Sequence, residues 1–263
     1  MTSRRDRFFH VLLWVPLVGL VLYFLFLLGA VSPFFETETF LSTLMSQTVQ
    51  SAIRISLLTA TISTLLALLF AIPIAYALSR FKFPGRRLVD ALLDIPMLLT
   101  PVALGTLLLM FFNNEFGRWL EHIGVSVAFT LNGVILAQFT VIVAIAIRLL
   151  KSSFDDISPR YEQVARTLGC SASHAFFRVT LPMARNGIMA AIILTWARAI
   201  AEFGATVTLA GTAKGKTATL PTSIYLAMAS ADLEQAVVLI MILIGLAFAV
   251  LLVTRLLIGG VRT

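Results

Sequence analysis

The strongest constraint on this chain is its division into six apolar stretches of about twenty residues each. They lie at about 9–31, 53–78, 92–112, 131–147, 188–209 and 236–258. A helix needs about 20 mostly apolar residues to cross the hydrocarbon core of a bilayer. No water is present there to satisfy backbone N–H and C=O groups, so such a stretch crosses as a helix whose hydrogen bonds are internal. The pattern predicts an all-α, polytopic membrane protein with six spans, folded as one domain over 1–263. Composition supports this: 59% of residues are apolar and 13% charged, against about 25% charged in soluble domains.

Basic residues predict the orientation, because short cytoplasmic loops are enriched in Lys and Arg. Arg4, Arg5 and Arg7 precede the first span, and Arg80, Lys82, Arg86 and Arg87 follow the second. Arg148, Lys151, Arg160, Arg166, Arg178 and Arg185 follow the fourth, and Arg255 and Arg262 end the chain. Threading six spans puts all fifteen on one side and leaves only Arg118, Lys214 and Lys216 on the other. Both termini are therefore expected in the cytoplasm, with the chain in the inner (cytoplasmic) membrane. The net charge of +7 follows from these loops and calls for no nucleic-acid partner. Ser3-Arg4-Arg5 has the look of a twin-arginine export signal. However, Arg7 stands where Phe is preferred, and the apolar run behind it is too long for a signal core. It reads as an uncleaved first span.

Several chemistries are disfavoured. Cys170 is the single cysteine, so neither an intramolecular disulfide nor a cysteine metal site can form; it reads as a small, buried or half-buried side chain. His10, His122 and His174 fall in different predicted compartments, and no metal site is expected. The segment 211–217 looks like a phosphate-binding loop, but Ala210 stands where the first glycine is required. No catalytic residue and no bound cofactor is expected on this chain. A membrane-embedded enzyme would need clustered acids or histidines. The acidic pair Asp155-Asp156 is sufficiently explained as the start of a helix.

One long polar loop interrupts the spans, at 151–186. Asp155, Asp156 and Ser158 before Pro159 predict a helix start, with a helix over 160–168 ended by Gly169. Ser171 can cap a second helix through Phe177, with Ala172, Ala175 and Phe176 on one face. Phe176 and Phe177 are expected as exposed aromatics suited to anchoring in a groove. Leu181-Pro182 is expected to end the unit.

The residues Glu162, Gln163, Val164 and Ala165, then Gly169, then Val179 to Pro182 resemble the loop motif of binding-protein-dependent ABC permeases. That motif reads Glu-Ala-Ala, three residues, Gly, nine residues, an aliphatic, one residue, Leu-Pro. Gln163 replaces its usual acid and Val164 its usual Ala, while Glu162 offers an acid one position earlier. The resemblance implies that Glu162, Gln163, Ala165, Gly169, Ser171, Phe176, Phe177, Leu181 and Pro182 form the contact to an ATPase. It also implies a homodimer of this chain, two ABC ATPase subunits carrying ATP and Mg, and an external substrate-binding protein.

Three further patches narrow the branch: Asp94 to Pro101 with Gly105, Arg198 to Thr206, and Thr217 to Tyr225. They are similar to the molybdate/tungstate and sulfate permeases, and closest to the molybdate type. Two prolines five apart, Pro96 and Pro101, are expected to kink span three. Arg198 and Glu202 are spaced to pair along one helix. That leaves two readings: a self-neutralised pair that locks the span, or an anion path with Arg198 or Arg54 attracting substrate. Thr100, Thr206, Thr222 and Ser223 are candidate pathway hydroxyls. Lys214 and Lys216 either meet a binding protein or are solvated. The alternatives are a sulfate/thiosulfate permease within the class, and outside it an ion channel or self-standing secondary transporter. The last two require no docking loop, and inverted repeats are not evident.

Overall fold

The computed structural model describes residues 4–30 and 37–259. Its helices are α1 (Arg4–Gly29), α2 (Thr37–Met45), α3 (Gln47–Arg80), α4 (Arg86–Leu98), α5 (Pro101–Phe112), α6 (Glu115–His122) and α7 (Leu131–Asp155). They continue with α8 (Arg160–Thr167), α9 (Ala172–Ala175), α10 (Leu181–Met183), α11 (Arg185–Ile200), α12 (Gly204–Ala210), α13 (Leu220–Ala229) and α14 (Leu233–Gly259). No strand occurs among the described residues.

The core is built on α3 and α7. Ser46 starts α3, its hydroxyl accepting the Val49 N–H at 3.3 Å. The helix then runs 34 residues, about 51 Å at 1.5 Å per residue. Its buried face reads Ala52, Ser56, Ala60, Ser63, Ala67, Ala71 and Ala75, a small residue every three or four positions. Against it α7 sets Gln138, Ile142 and Ala146, while Gly133 and Ala137 turn to Val127 and α12. In lipid no hydrophobic force drives helices together, so close packing of small residues does this instead. Toward the ends of α3 and α7 with the higher residue numbers, larger groups fill the junction with α11: Leu78, Ile147, Leu150 and Phe154.

Helices α3, α7 and segments of α1 and α14 are each long and apolar enough to cross a membrane. The count reaches six only if two bent pairs are spans, α4 with α5 at 106° and Ala172–Met183 with α11 at 72°. The third expected span is thus broken rather than kinked. Leu99 and Thr100 both adopt extended backbone, with ψ of 145° and 144°. A residue before proline is pushed out of the helical region, and Pro101 is tolerated at the start of α5 because its missing N–H would be unpaired there anyway. The Thr100 hydroxyl caps that start, accepting from Ala103 N at 3.3 Å.

The fifth expected span is also interrupted, between α11 and α12. A carboxylate oxygen of Glu202 accepts the Ala205 N–H at 2.9 Å and so starts a new helix. Segment 217–225 forms most of α13. Thr219 and Thr222 make a reciprocal capping box, and the Ser56 hydroxyl accepts the Leu220 N–H at 2.7 Å, pinning α13 to α3. A further correction concerns the acidic pair. Asp155 closes α7 and holds Lys151 and Ser79, and Asp156 caps that helix end rather than opening α8. Cys170 is exposed, not buried. Gly211 to Thr217 follows a helix and not a strand, unlike a phosphate-binding loop.

Candidate functional site

The segment between α7 and α11 is a compact helical unit. Its first helix, α8, ends in a two-bond closure: Gly169 N donates to Arg166 O at 3.1 Å and Cys170 N to Ala165 O at 3.1 Å. Gly169 sits at φ +91°, the left-handed conformation this closure needs and glycine adopts freely. Ser171 then caps α9, accepting from His174 N at 3.2 Å.

Beyond Ala175 the chain widens into one π turn, Phe176–Thr180, before α10. Leu181 and Pro182 therefore lie inside helix, and the turn at Ala184 is what ends the unit. An extra residue in a turn rotates the faces that follow. The expectation for the aromatics is corrected at Phe176, which opens this turn and shares the face of Ala175 ahead of it. Phe176 packs inward, 4.5 Å from the Tyr76 ring and 6.3 Å from Phe154, while Phe177 is 64% exposed. Ala175 is buried and Phe176 half-buried, but Ala172 faces solvent.

The acid of the motif has a defined environment. Glu162 accepts from Arg80 Nε at 2.7 Å, Thr180 Oγ1 at 2.7 Å and Tyr76 Oη at 2.8 Å. Arg80 also donates to the Ile157 carbonyl at 3.0 Å. Burial pushes the Glu162 carboxyl up, but the bonds from Arg80, Thr180 and Tyr76 outweigh it and hold the group below the ordinary carboxylate value. The stabilisation is therefore full above the ordinary carboxylate range, and is lost as pH falls through the lowered value. One carboxylate thus joins α8, the π turn and the end of α3. Gln163, where the motif has its usual acid, is exposed. Ala165 is buried beneath α8.

The other singled-out residues are dispersed. Arg198 pairs with Glu202 at 2.8 Å, and Glu202 is only 1% exposed. Thr222 is spent in its capping box and Thr100 in its cap. Thr206 is fully buried and its hydroxyl has no hydrogen-bond partner among the described residues. Ser223 is nearly buried. Arg54 is exposed near the start of α3. These residues do not form one cluster.

Sequence reading missed Tyr76, Arg80 and Thr180, whose partner Glu162 lies 18 to 86 positions away. It also missed Arg148, which bridges Asp94 at 2.6 Å and Asp90 at 2.9 Å and ties α4 to α7. A signal existed for that bridge: two acids at i, i+4 on one helix repel unless a cation is shared.

An all-helical bundle with long apolar helices, broken spans and a helical unit between α7 and α11 is the architecture of a polytopic membrane protein. The chain belongs to the family described as binding-protein-dependent transport system inner membrane component, which matches residues 67–263. It is 37% identical over 178 residues to the molybdenum transport system permease protein ModB of Haemophilus influenzae, covering 66% of this chain and 78% of that one. A probable molybdenum ABC transporter permease of Haloferax volcanii is 37% identical over 237 residues, covering 90% and 86%. A sulfate transport system permease, CysW of Synechocystis, is 34% identical over 215 residues, covering 78% of each chain. Among solved structures, a bacterial ABC transporter that imports the polysaccharide alginate superposes with TM-score 0.79 at 17% identity. It covers 98% of this chain and 99% of that one. The chain is therefore an ABC importer permease.

Proposed function

We propose that this permease conducts molybdate or tungstate delivered by an external binding protein. It would act as a homodimer with two ATPase subunits that bind ATP and Mg and dock on residues 160–183. The observation that carries the substrate class is the set of relatives named for molybdenum transport, from bacteria and an archaeon, at 34–37% identity. A sulfate permease at 34% makes sulfate or thiosulfate the second reading. Titrating the cognate binding protein with molybdate, tungstate and sulfate tests this. Preference for either metal oxyanion is expected; preference for sulfate would replace the substrate.

The docking role rests on geometry. Phe177 is a large apolar side chain presented to solvent beside the Glu162 node, as helix-in-groove contacts require. Gly169 supplies the closure that orients it. Nothing lies within 4 Å of a Cβ built at Gly169, so substitution there acts through backbone conformation alone. A left-handed conformation costs a non-glycine residue roughly 1–2 kcal/mol. Gly169→Val is expected to lower binding-protein-stimulated ATP hydrolysis strongly, whereas Gly169→Asn, tolerant of that conformation, keeps most of it. Equal rates for both variants and the parent would remove the closure from the coupling path.

Orientation follows from the same proposal and has a built-in probe, since Cys170 is the single thiol and is exposed. A membrane-impermeant maleimide is expected to label it in inside-out vesicles of the permease expressed without its ATPase, and not in intact cells. Labelling of intact cells would reverse the topology.

A further inference from the structure

Arg80, Arg148, Lys151 and Arg198 each hold a carboxylate. Arg54 and Lys214 have no ion-pair partner among the described residues, yet they face one cleft of about 610 Å³. Gln47, Thr48, Gln50 and Gly215 help to wall it, and among the described residues no Asp or Glu lines it. One wall is the first two turns of α3. The leading N–H groups of a helix have no partner within it, and its dipole places partial positive charge there. The Ser46 hydroxyl occupies only the Val49 N–H. The opposite wall is the loop between α12 and α13, where Gly215 takes φ +74°. A narrower crevice lined by Thr48, Lys214 and Ser223 continues from the same walls toward α13. From Arg54 to the docking node at Arg80 is 26 residues of one helix, about 39 Å.

We propose that this cleft is a transit site for a hydrated tetrahedral dianion at the mouth of the pore, with Arg54 and Lys214 as its cationic contacts. The proposal rests on the oxyanion reading above. Every charge on its described walls, Arg54 and Lys214, is positive, so it attracts a dianion. It has room for such an ion together with on the order of ten or more waters at about 30 Å³ each. An ion held with its water shell is selected by charge rather than fit. Retention is then weak, as conduction requires: favourable enough to enter and loose enough to leave. The binding protein is left to discriminate among oxyanions of equal charge.

The test uses the assembled permease–ATPase complex in nanodiscs of zwitterionic lipid, without binding protein, titrated with tungstate and with sulfate by calorimetry. Expected is saturable binding with a dissociation constant on the order of millimolar, competition between the two ions, and weakening as salt is raised. R54Q/K214Q is expected to weaken it roughly tenfold, about 1.4 kcal/mol. K216Q, at a lysine that does not line the cleft, should leave it near the parent value. Both cations are exposed, so folding is not at stake in these variants. Absence of saturable binding, or equal binding by R54Q/K214Q, overturns the proposal. So does retention of phosphatidylglycerol by Arg54 and Lys214 with no tungstate uptake, which would mark a lipid headgroup site. Loss of binding-protein docking with tungstate binding intact would assign the cations to that protein and equally overturn it. A binding protein selective for neutral cargo would defeat the substrate reading separately, because the titration reports on the cleft directly.

Discussion

Glu162→Ala is expected to abolish transport-coupled ATP hydrolysis while the chain still inserts in the membrane. The substitution removes the common acceptor of Arg80, Thr180 and Tyr76. The Arg80 side chain, 7% exposed, is left as a buried cation. Breaking a buried ion pair by removing one partner costs about 3–5 kcal/mol, far more than an exposed pair contributes. That is enough to release α8 and the π turn from α3, so motion of this helical unit no longer reaches the longest span. Glu162→Gln keeps an acceptor for the two hydroxyls and is expected to lose less. The measurement is ATPase activity of the reconstituted complex with and without loaded binding protein. Undiminished stimulation in Glu162→Ala would show that coupling bypasses this carboxylate.

A second large effect is expected at Gly105, where α5 crosses α12. A Cβ placed there would stand 2.7 Å from the Ala205 Cα and 2.8 Å from its carbonyl oxygen, and would also strike the Thr208 hydroxyl. Backbone atoms cannot rotate away, so Gly105→Val forces the two helices apart. Overpacking a core typically costs about 1–3 kcal/mol even when side chains can adjust; here they cannot. The loss should be larger, and little folded protein should be recovered from membranes. Gly245→Ala is the control, since nothing lies within 4 Å of its Cβ. Detergent-solubilised yield and thermal unfolding separate the two. Recovery of Gly105→Val at the Gly245→Ala level would mean that α5 and α12 do not pack this closely.

The spans were legible because a bilayer demands one thing of every segment, a sufficient apolar length, and that demand is local. Their breaks were not. Pro101 announces a disturbance, but the 106° bend also needs Leu99 extended, which no residue type there requires. The break after Ile200 depends on Glu202 turning its carboxylate to the Ala205 N–H. In sequence the same residue reads equally well as a pairing partner for Arg198, and the structure uses it for both. Within the helical unit between α7 and α11, Gly169 and Ser171 were readable because closures and caps use fixed residue types at fixed offsets. Phe176 was misplaced because periodicity put it on one face with Ala175 but could not show that this face turns inward against Tyr76, across a separation of 100 residues in sequence. Arg80 could not be found by spacing at all. Its partner is 82 residues away, and only the packing of α3 against the unit brings them together.

ATP-driven uptake into proteoliposomes tests the oxyanion-importer reading most directly. The chain is co-reconstituted with its ATPase, the cognate binding protein is supplied outside, and entry of labelled tungstate is followed. Uptake is expected only when the chain, the ATPase, ATP and the binding protein are all present, and it should be lost in Glu162→Ala. Tungstate entry that persists without ATP hydrolysis, or at the parent rate in Glu162→Ala, would contradict it.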